Sequence, residues 1–140
     1  MRNFSPNGVR VSGGRAAGVL CILDKRCLLL QRSKLISFSH YWCLPGGWLN
    51  EGEESFTGAM REAVEEMGQL PESIIFKCKS SVTWNDVTFD IYVMRTPMFK
   101  PELDWESEGY GWFTFEEAMA LPLIKGASMA LLTLREKGVL

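Results

Sequence analysis

From Gly47 to Leu70 the chain reads GWLNEGEESFTGAMREAVEEMGQL, and no other stretch limits the possible folds as strongly. It requires a glycine loop followed at once by a helix with three acids. Glu62, Glu65 and Glu66 stand at i, i+3 and i+4, the spacing that gathers side chains on or near one helix face. Like charges placed this way repel and destabilise an isolated helix. A bound cation offsets that cost. Hard divalent cations such as Mg2+ take oxygen ligands and often touch substrate phosphates as well. The competing reading is a solvated acidic face, the usual meaning of a charge run. The glycine loop, Arg61 and Glu53 favour the metal site. Gly46, Gly47 and Gly52 permit a tight turn that brings backbone N–H groups near a ligand.

Gly47, Glu53, Arg61, Glu62, Glu65, Glu66 and Gly68 fill every charged and glycine position of G-x5-E-x7-R-E-U-x-E-E-x-G-U, where U is bulky and apolar. The segment resembles the Nudix box. It departs at the final U, where Gln69 stands before Leu70. The run Trp42-Cys43-Leu44-Pro45-Gly46-Gly47 is similar to the W-x-L-P-G-G lead-in of that family.

The resemblance implies a Nudix-type pyrophosphohydrolase that cleaves a phosphoanhydride in a nucleoside diphosphate linked to another group. It implies Mg2+ as cofactor, with Mn2+ as a substitute. Glu65 and Glu66 are then metal ligands, and Glu62 is a ligand or the general base. Glu53 and Arg61 support the loop–helix geometry, the arginine fork holding the carboxylate. A further acidic ligand often comes from a later loop. Glu106, ahead of Tyr110 and Trp112, is the first choice and Glu108 the second. The chemistry is physically consistent: metal ions offset charge on attacking and leaving oxygens, and a carboxylate takes the proton from water.

Arg32 ends a strand-like run and is a candidate for a substrate phosphate, with an ordinary surface arginine as the alternative. Gly46 and Gly47 are candidates to approach substrate through their backbone. Trp48, Trp84 and Tyr92 are candidates to stack on a base, with core packing as the alternative. His40, the one histidine, reads as a loop residue. No proline stands at the distance linked with ADP-ribose hydrolysis, and no tyrosine at that linked with dinucleoside polyphosphates. The expected substrate is therefore a nucleoside or deoxynucleoside triphosphate, giving monophosphate and pyrophosphate. Nucleotide sugars or other ADP-linked compounds are the alternative. A catalytically inactive nucleotide sensor would be expected to lose box carboxylates, and none is lost.

The 140 residues suit a single domain spanning 1–140. A net charge of −2 argues against general nucleic-acid binding, which favours a basic footprint. No apolar run is long enough to span a membrane. The first residues lack the apolar core of a signal peptide, so a cytoplasmic monomer or homodimer is expected. Cys21, Cys27, Cys43 and Cys78 show no C-x-x-C spacing, which leaves zinc and redox readings without support.

Apolar and turn patterns place strands over 15–23, 27–31, 41–44, 74–83, 87–95 and 109–114. Helices are expected over Phe56 to Met67 with Ser55 as N-cap, Phe115 to Leu121, and Gly126 to Lys137. Phe56, Ala59, Met60, Ala63, Val64 and Met67 form the expected apolar face of the first helix. Residues 1–13 read as a loose arm or edge strand. These elements alone give an α+β class. The resemblance specifies a mixed β-sheet sandwiched between α-helices.

Overall fold

A computed structural model describes residues 14–140. The expected arm or edge strand over 1–13 lies outside the described residues. The elements in chain order are β1 (Gly14–Leu23), β2 (Arg26–Arg32), β3 (Trp42–Cys43), β4 (Gly46–Trp48), α1 (Ser55–Met67), β5 (Ile75–Trp84), β6 (Val87–Arg95), β7 (Ser107–Thr114), α2 (Phe115–Met119) and α3 (Lys125–Glu136).

Among the described residues seven strands form one mixed sheet. Its main path is β3-β2-β1-β6-β5, with β4 added on β1 and β7 on β2. β1 and β6 run parallel, and the other pairings are antiparallel. Two tight hairpins set the register. Asp24 and Lys25 (φ 49° and 64°) join β1 to β2, and Asn85 and Asp86 (φ 47° and 63°) join β5 to β6. Paired left-handed residues are what a two-residue hairpin with the right strand twist requires.

α1 and α3 cover opposite faces of the sheet. Ser55 of α1 donates to Asp90 of β6, while Lys137, just past α3, donates to Ser80 of β5. Ser80 pairs with Ile91, the next residue after Asp90, and successive strand residues point to opposite faces. With both faces covered, β1 is buried continuously from Ala16 to Cys21, and Leu28, Leu29, Phe89, Ile91, Leu131 and Leu134 complete the core. No helix among the described residues is long and apolar enough to cross a membrane.

Three local expectations are corrected. First, the N-cap of α1 is Glu54, whose carboxylate accepts from the N–H groups of Phe56 and Thr57. The Ser55 hydroxyl is committed to Asp90 instead. Second, the buried face of α1 is Ser55, Gly58, Ala59, Glu62, Ala63 and Met67, with Phe56 and Val64 well exposed. Small residues on the sheet side let the helix sit close, which moves the bulkier Phe56–Met60–Val64 stripe outward. Third, the Pro45-Gly46-Gly47 break carries an added strand. β4 pairs with Ala16, Ala17 and Gly18. A Cβ on Gly46 would stand 2.8 Å from Gly18 Cα, so only glycine fits there.

Candidate functional site

The loop ahead of α1 is tied to the helix by one arginine. Arg61 Nε donates to Glu53 Oε2 at 2.8 Å, and its Nη2 donates to Glu53 Oε1 at 2.9 Å. This is the two-pronged contact that suits a guanidinium and a carboxylate. The Asn50 N–H adds a third bond to Glu53 at 2.9 Å. The Arg61 guanidinium, more than the Asn50 bond, pulls the Glu53 carboxyl down from 4.5 to about 2. Arg61 itself is raised, chiefly by its bonds to Glu53. The same guanidinium reaches Glu65 at 3.2 Å, Glu62 at 3.4 Å and the Trp48 carbonyl at 3.4 Å. One cation thus spreads its bonds over three carboxylates and the end of β4.

Gly58, unfavourable inside a helix by about 1 kcal/mol relative to alanine, belongs to this brace. A Cβ there would collide with Leu49 and come within 3.0 Å of the Glu53 carboxyl. The absent side chain lets the loop lie flat against α1.

On its other side α1 meets the double glycine. Glu66 Oε1 accepts from the Gly46 N–H at 2.7 Å. The Glu62 carboxyl fills the space a Gly47 side chain would take, and Glu62 is only 2% exposed. Both acids open into a cleft whose floor is Gly46 and Gly47. Arg32, Ile36 and Cys43 come into it from the β2–β3 region, and Glu106 and Ser107 from the start of β7.

Arg32 is buried (3% exposed) and is no surface arginine. Its Nε donates to the Ser37 carbonyl at 2.7 Å and its Nη2 to Ser37 Oγ at 3.2 Å. It lines the same cleft as Glu62, Glu66 and Glu106, and its strand runs beside Glu106, whose carbonyl accepts from the Ser33 N–H at 2.8 Å. Cys43 also lines this space. Burial, helped by the Glu66 charge and opposed by Arg32, pushes its thiol up to about 12.

Glu106 and Glu108 part company at an irregularity in the sheet. Arg32 pairs with Ser107 and Gln31 with Gly109, leaving Glu108 as an extra residue. Such a bulge re-aims the side chains around it. Glu106 is 4% exposed and lines the cleft. Glu108 turns away to pair with His40. The expected loop histidine therefore has a partner well apart from the box acids.

The other expected residues are placed as follows. Glu65 does not line the cleft but sits beside Arg61, one third exposed. The Trp48 ring covers Gly14. Trp84 packs edge-on to Phe89, on the sheet face covered by α3. Tyr92 is buried between Phe56 and Phe76. None of the three aromatics is brought to the cleft. Ile36 and Cys43 were not anticipated. The position of Cys43 one residue before Leu44-Pro45-Gly46-Gly47 is the one signal that could have marked it.

Among the described residues no three acidic, histidine or cysteine groups stand as a ready-made cation cluster. Glu66 is instead held by the Gly46 N–H, and Glu62 lies within reach of Arg61. The donor chemistry still fits a hard divalent cation. Mg2+ keeps several waters and is bound through one or two carboxylates plus substrate phosphates. Glu62, Glu66 and Glu106 supply such oxygens around one opening, and backbone N–H groups and Arg32 supply donors for phosphate.

Comparison with known proteins bears on the family and the fold. The model of the NUDIX domain matches residues 13–132. Nudix hydrolase 8 of Arabidopsis thaliana is 34% identical over 117 residues, which is 79% of this chain and 30% of that protein. The chain spans about a third of the length of the curated relatives it matches. Among solved structures, RenU, a Nudix hydrolase of M. smegmatis, superposes with a TM-score of 0.75 at 23% identity, covering 96% of this chain and 92% of that one. The NUDIX domain of NrtR from Shewanella oneidensis, solved with ADP ribose, gives 0.69 at 20% identity, covering 96% and 94%. At these identities the structural likenesses speak for the fold.

Proposed function

This chain belongs to the NUDIX family, and we propose that it hydrolyses a phosphoanhydride bond in a nucleoside diphosphate linked to a second group, with Mg2+ as cofactor. The observation that carries this reading is the gathering of three carboxylates and one buried arginine in a single cleft. Glu62, Glu66 and Glu106 line one cleft together with Gly46, Gly47 and buried Arg32. A polyphosphate chain needs both: carboxylates to share a cation with it and a fixed guanidinium to hold a phosphate oxygen.

The bound cation would supply charge neutralisation on the attacking and leaving oxygens. Glu62, Glu66 and Glu106 would hold it, with Glu65 joining from beside Arg61. One of these carboxylates would accept the proton from the attacking water. Arg32 would orient the phosphate chain. Glu53 and Arg61 would keep loop and helix in register. Gly46 and Gly47 would let the substrate approach the backbone.

The substrates proposed are nucleoside or deoxynucleoside triphosphates, cleaved to monophosphate and pyrophosphate. A second reading, hydrolysis of ADP-linked compounds, is favoured by the ADP ribose bound to the NrtR domain. The test is a panel of both classes, incubated with purified protein and Mg2+ or Mn2+, with chromatographic identification of the nucleoside monophosphate and of its partner product. Pyrophosphate release from triphosphates supports the first reading. A monophosphate pair from ADP ribose or a nucleotide sugar supports the second. No turnover of any compound with either metal would overturn both.

A further inference from the structure

Asp90 is a half-buried acid that the proposed chemistry does not use, and three donors converge on it. Ser55 Oγ reaches Oδ2 at 2.5 Å, Ser81 Oγ reaches Oδ1 at 2.6 Å, and Lys79 Nζ lies 3.7 Å away. Burial works against its charge, but the two serines and Lys79 outweigh it and hold the carboxyl below its ordinary value.

Its place in the sheet gives this cluster a meaning. Ser81, Asp90, Ala17 and Gly47 are successive cross-strand partners on β5, β6, β1 and β4. Directly paired residues share a face, so the four form one row on the side covered by α1. The helix touches that row at two points. Ser55, its first residue, sits on Asp90, and Glu62 sits on Gly47. Seven helical residues advance about 10.5 Å. Two strand spacings, from β6 across β1 to β4, amount to about 9.6 Å. The lengths agree, so a helix fixed on Asp90 delivers Glu62 onto Gly47. Between these points the surfaces are small: Ala17 and Ala59 are both fully buried.

We propose that Asp90 is a positioning residue for the cleft: through Ser55 it fixes the start of α1 on the sheet and thereby sets where Glu62 and Glu66 stand beside Gly46 and Gly47. This rests on the functional reading above. Ser55 is thus recruited away from capping, and Glu54 caps the helix in its stead.

The test compares Ser55→Ala and Asp90→Asn with Ser81→Ala, and with Ser55→Thr as the conservative variant that keeps a hydroxyl. Two readings are taken without substrate. One is Mn2+ affinity by electron paramagnetic resonance. The other is hydrogen exchange at the Gly46 amide, whose partner is Glu66 on the same helix. Ser55→Ala and Asp90→Asn should weaken Mn2+ by about tenfold, the scale of losing a group that orients metal ligands. They should also speed exchange at Gly46. On the substrate the panel identifies, kcat should fall with KM held. Ser55→Thr and Ser81→Ala should stay near wild type in all three. If Ser55→Ala and Asp90→Asn lower only the melting temperature, leaving Mn2+ affinity and Gly46 exchange unchanged, the proposal is overturned. Should Asp90→Asn fail to fold, Ser55→Ala alone decides. If the wild-type chain hydrolyses nothing, the functional reading fails, but Gly46 exchange still decides the seating of the helix.

Discussion

The carboxyl carbon of Glu62 would stand 2.7 Å from a Cβ placed on Gly47. Glycine is therefore fixed at that position by the acid above it, independently of backbone conformation. The pair explains how a helix can bury a carboxylate in its sheet-facing side. The missing side chain makes a recess, and Arg61 supplies positive charge 3.4 Å from the acid's outer oxygen.

Gly47→Ala tests that recess. The new methyl would push the Glu62 carboxyl out of its place, and the buried surroundings leave it little room. Turnover should fall by about a hundredfold, the scale of losing one preorganised electrostatic contact. Steady-state kinetics with folding checked by circular dichroism is the measurement. Wild-type turnover would mean that Glu62 can move without consequence.

Gly58→Ala sets local propensity against packing. Helix propensity alone predicts a gain of about 1 kcal/mol. The added Cβ would meet Leu49 and the Glu53 carboxyl, so the expected outcome is a lower melting temperature and a looser Glu53–Arg61 contact. A stabilised variant would show that the loop gives way freely.

The brace predicts a pH signature. The Glu53 carboxyl lies near 2 in the folded chain against an ordinary 4.5, so as pH falls the unfolded chain takes up this proton first. The stabilisation from Glu53 is complete above the ordinary value and is lost as pH drops from there toward 2. In urea unfolding, wild type should exceed Glu53→Gln near neutrality, and the difference should shrink between about pH 5 and pH 3. A difference independent of pH would remove Arg61 as its source. Arg61→Lys should not restore the gap, because an ammonium cannot make the paired bonds.

Removal of metal should abolish hydrolysis, and Mg2+ or Mn2+ should restore it. Glu66→Gln should then lower turnover by about a hundredfold or more. Melting of the metal-free Glu65→Gln and Glu66→Gln proteins should change little, since relief of repulsion along the helix face is set against weaker contacts to Arg61 and to the Gly46 N–H. Full activity in excess chelator would contradict the cation role of the box acids.

Much of this was legible in the sequence because its signals are local. The two hairpins are written in Asp24-Lys25 and Asn85-Asp86, and the box acids in helical spacing. The Arg61–Glu53 fork follows from the resemblance. What escaped depends on long-range packing. Nothing near Ser55 reveals that its hydroxyl is taken by Asp90, 35 residues away. Periodicity treated Phe56 and Val64 as core, whereas the close seat of α1 on Ala17 turned the alanine stripe inward. Trp84 is a plausible base-stacking residue as a hairpin tip, but its strand register sends it to the α3 face. Arg32 is indistinguishable from a surface arginine until the 33–41 loop folds back to accept its bonds through Ser37.

The last prediction separates Glu106, just ahead of β7, from Glu108, the bulged residue within it. Glu106 is buried in the cleft wall, while Glu108 pairs with His40 at the surface. If Glu106 holds the cation or takes the proton, Glu106→Gln should lower kcat strongly and leave KM nearly unchanged. That pattern marks an interaction made mainly in the transition state. Glu108→Gln should cost little in turnover, because Glu108 pairs with His40 and does not line the cleft. Rapid-quench turnover of both variants decides the matter, since it isolates the chemical step from product release. The reverse order would assign the role to Glu108 and require the His40 contact to open during turnover. Equal, small effects would leave Glu62, Glu65 and Glu66 sufficient for chemistry and reduce the β7 loop to shaping the cleft wall.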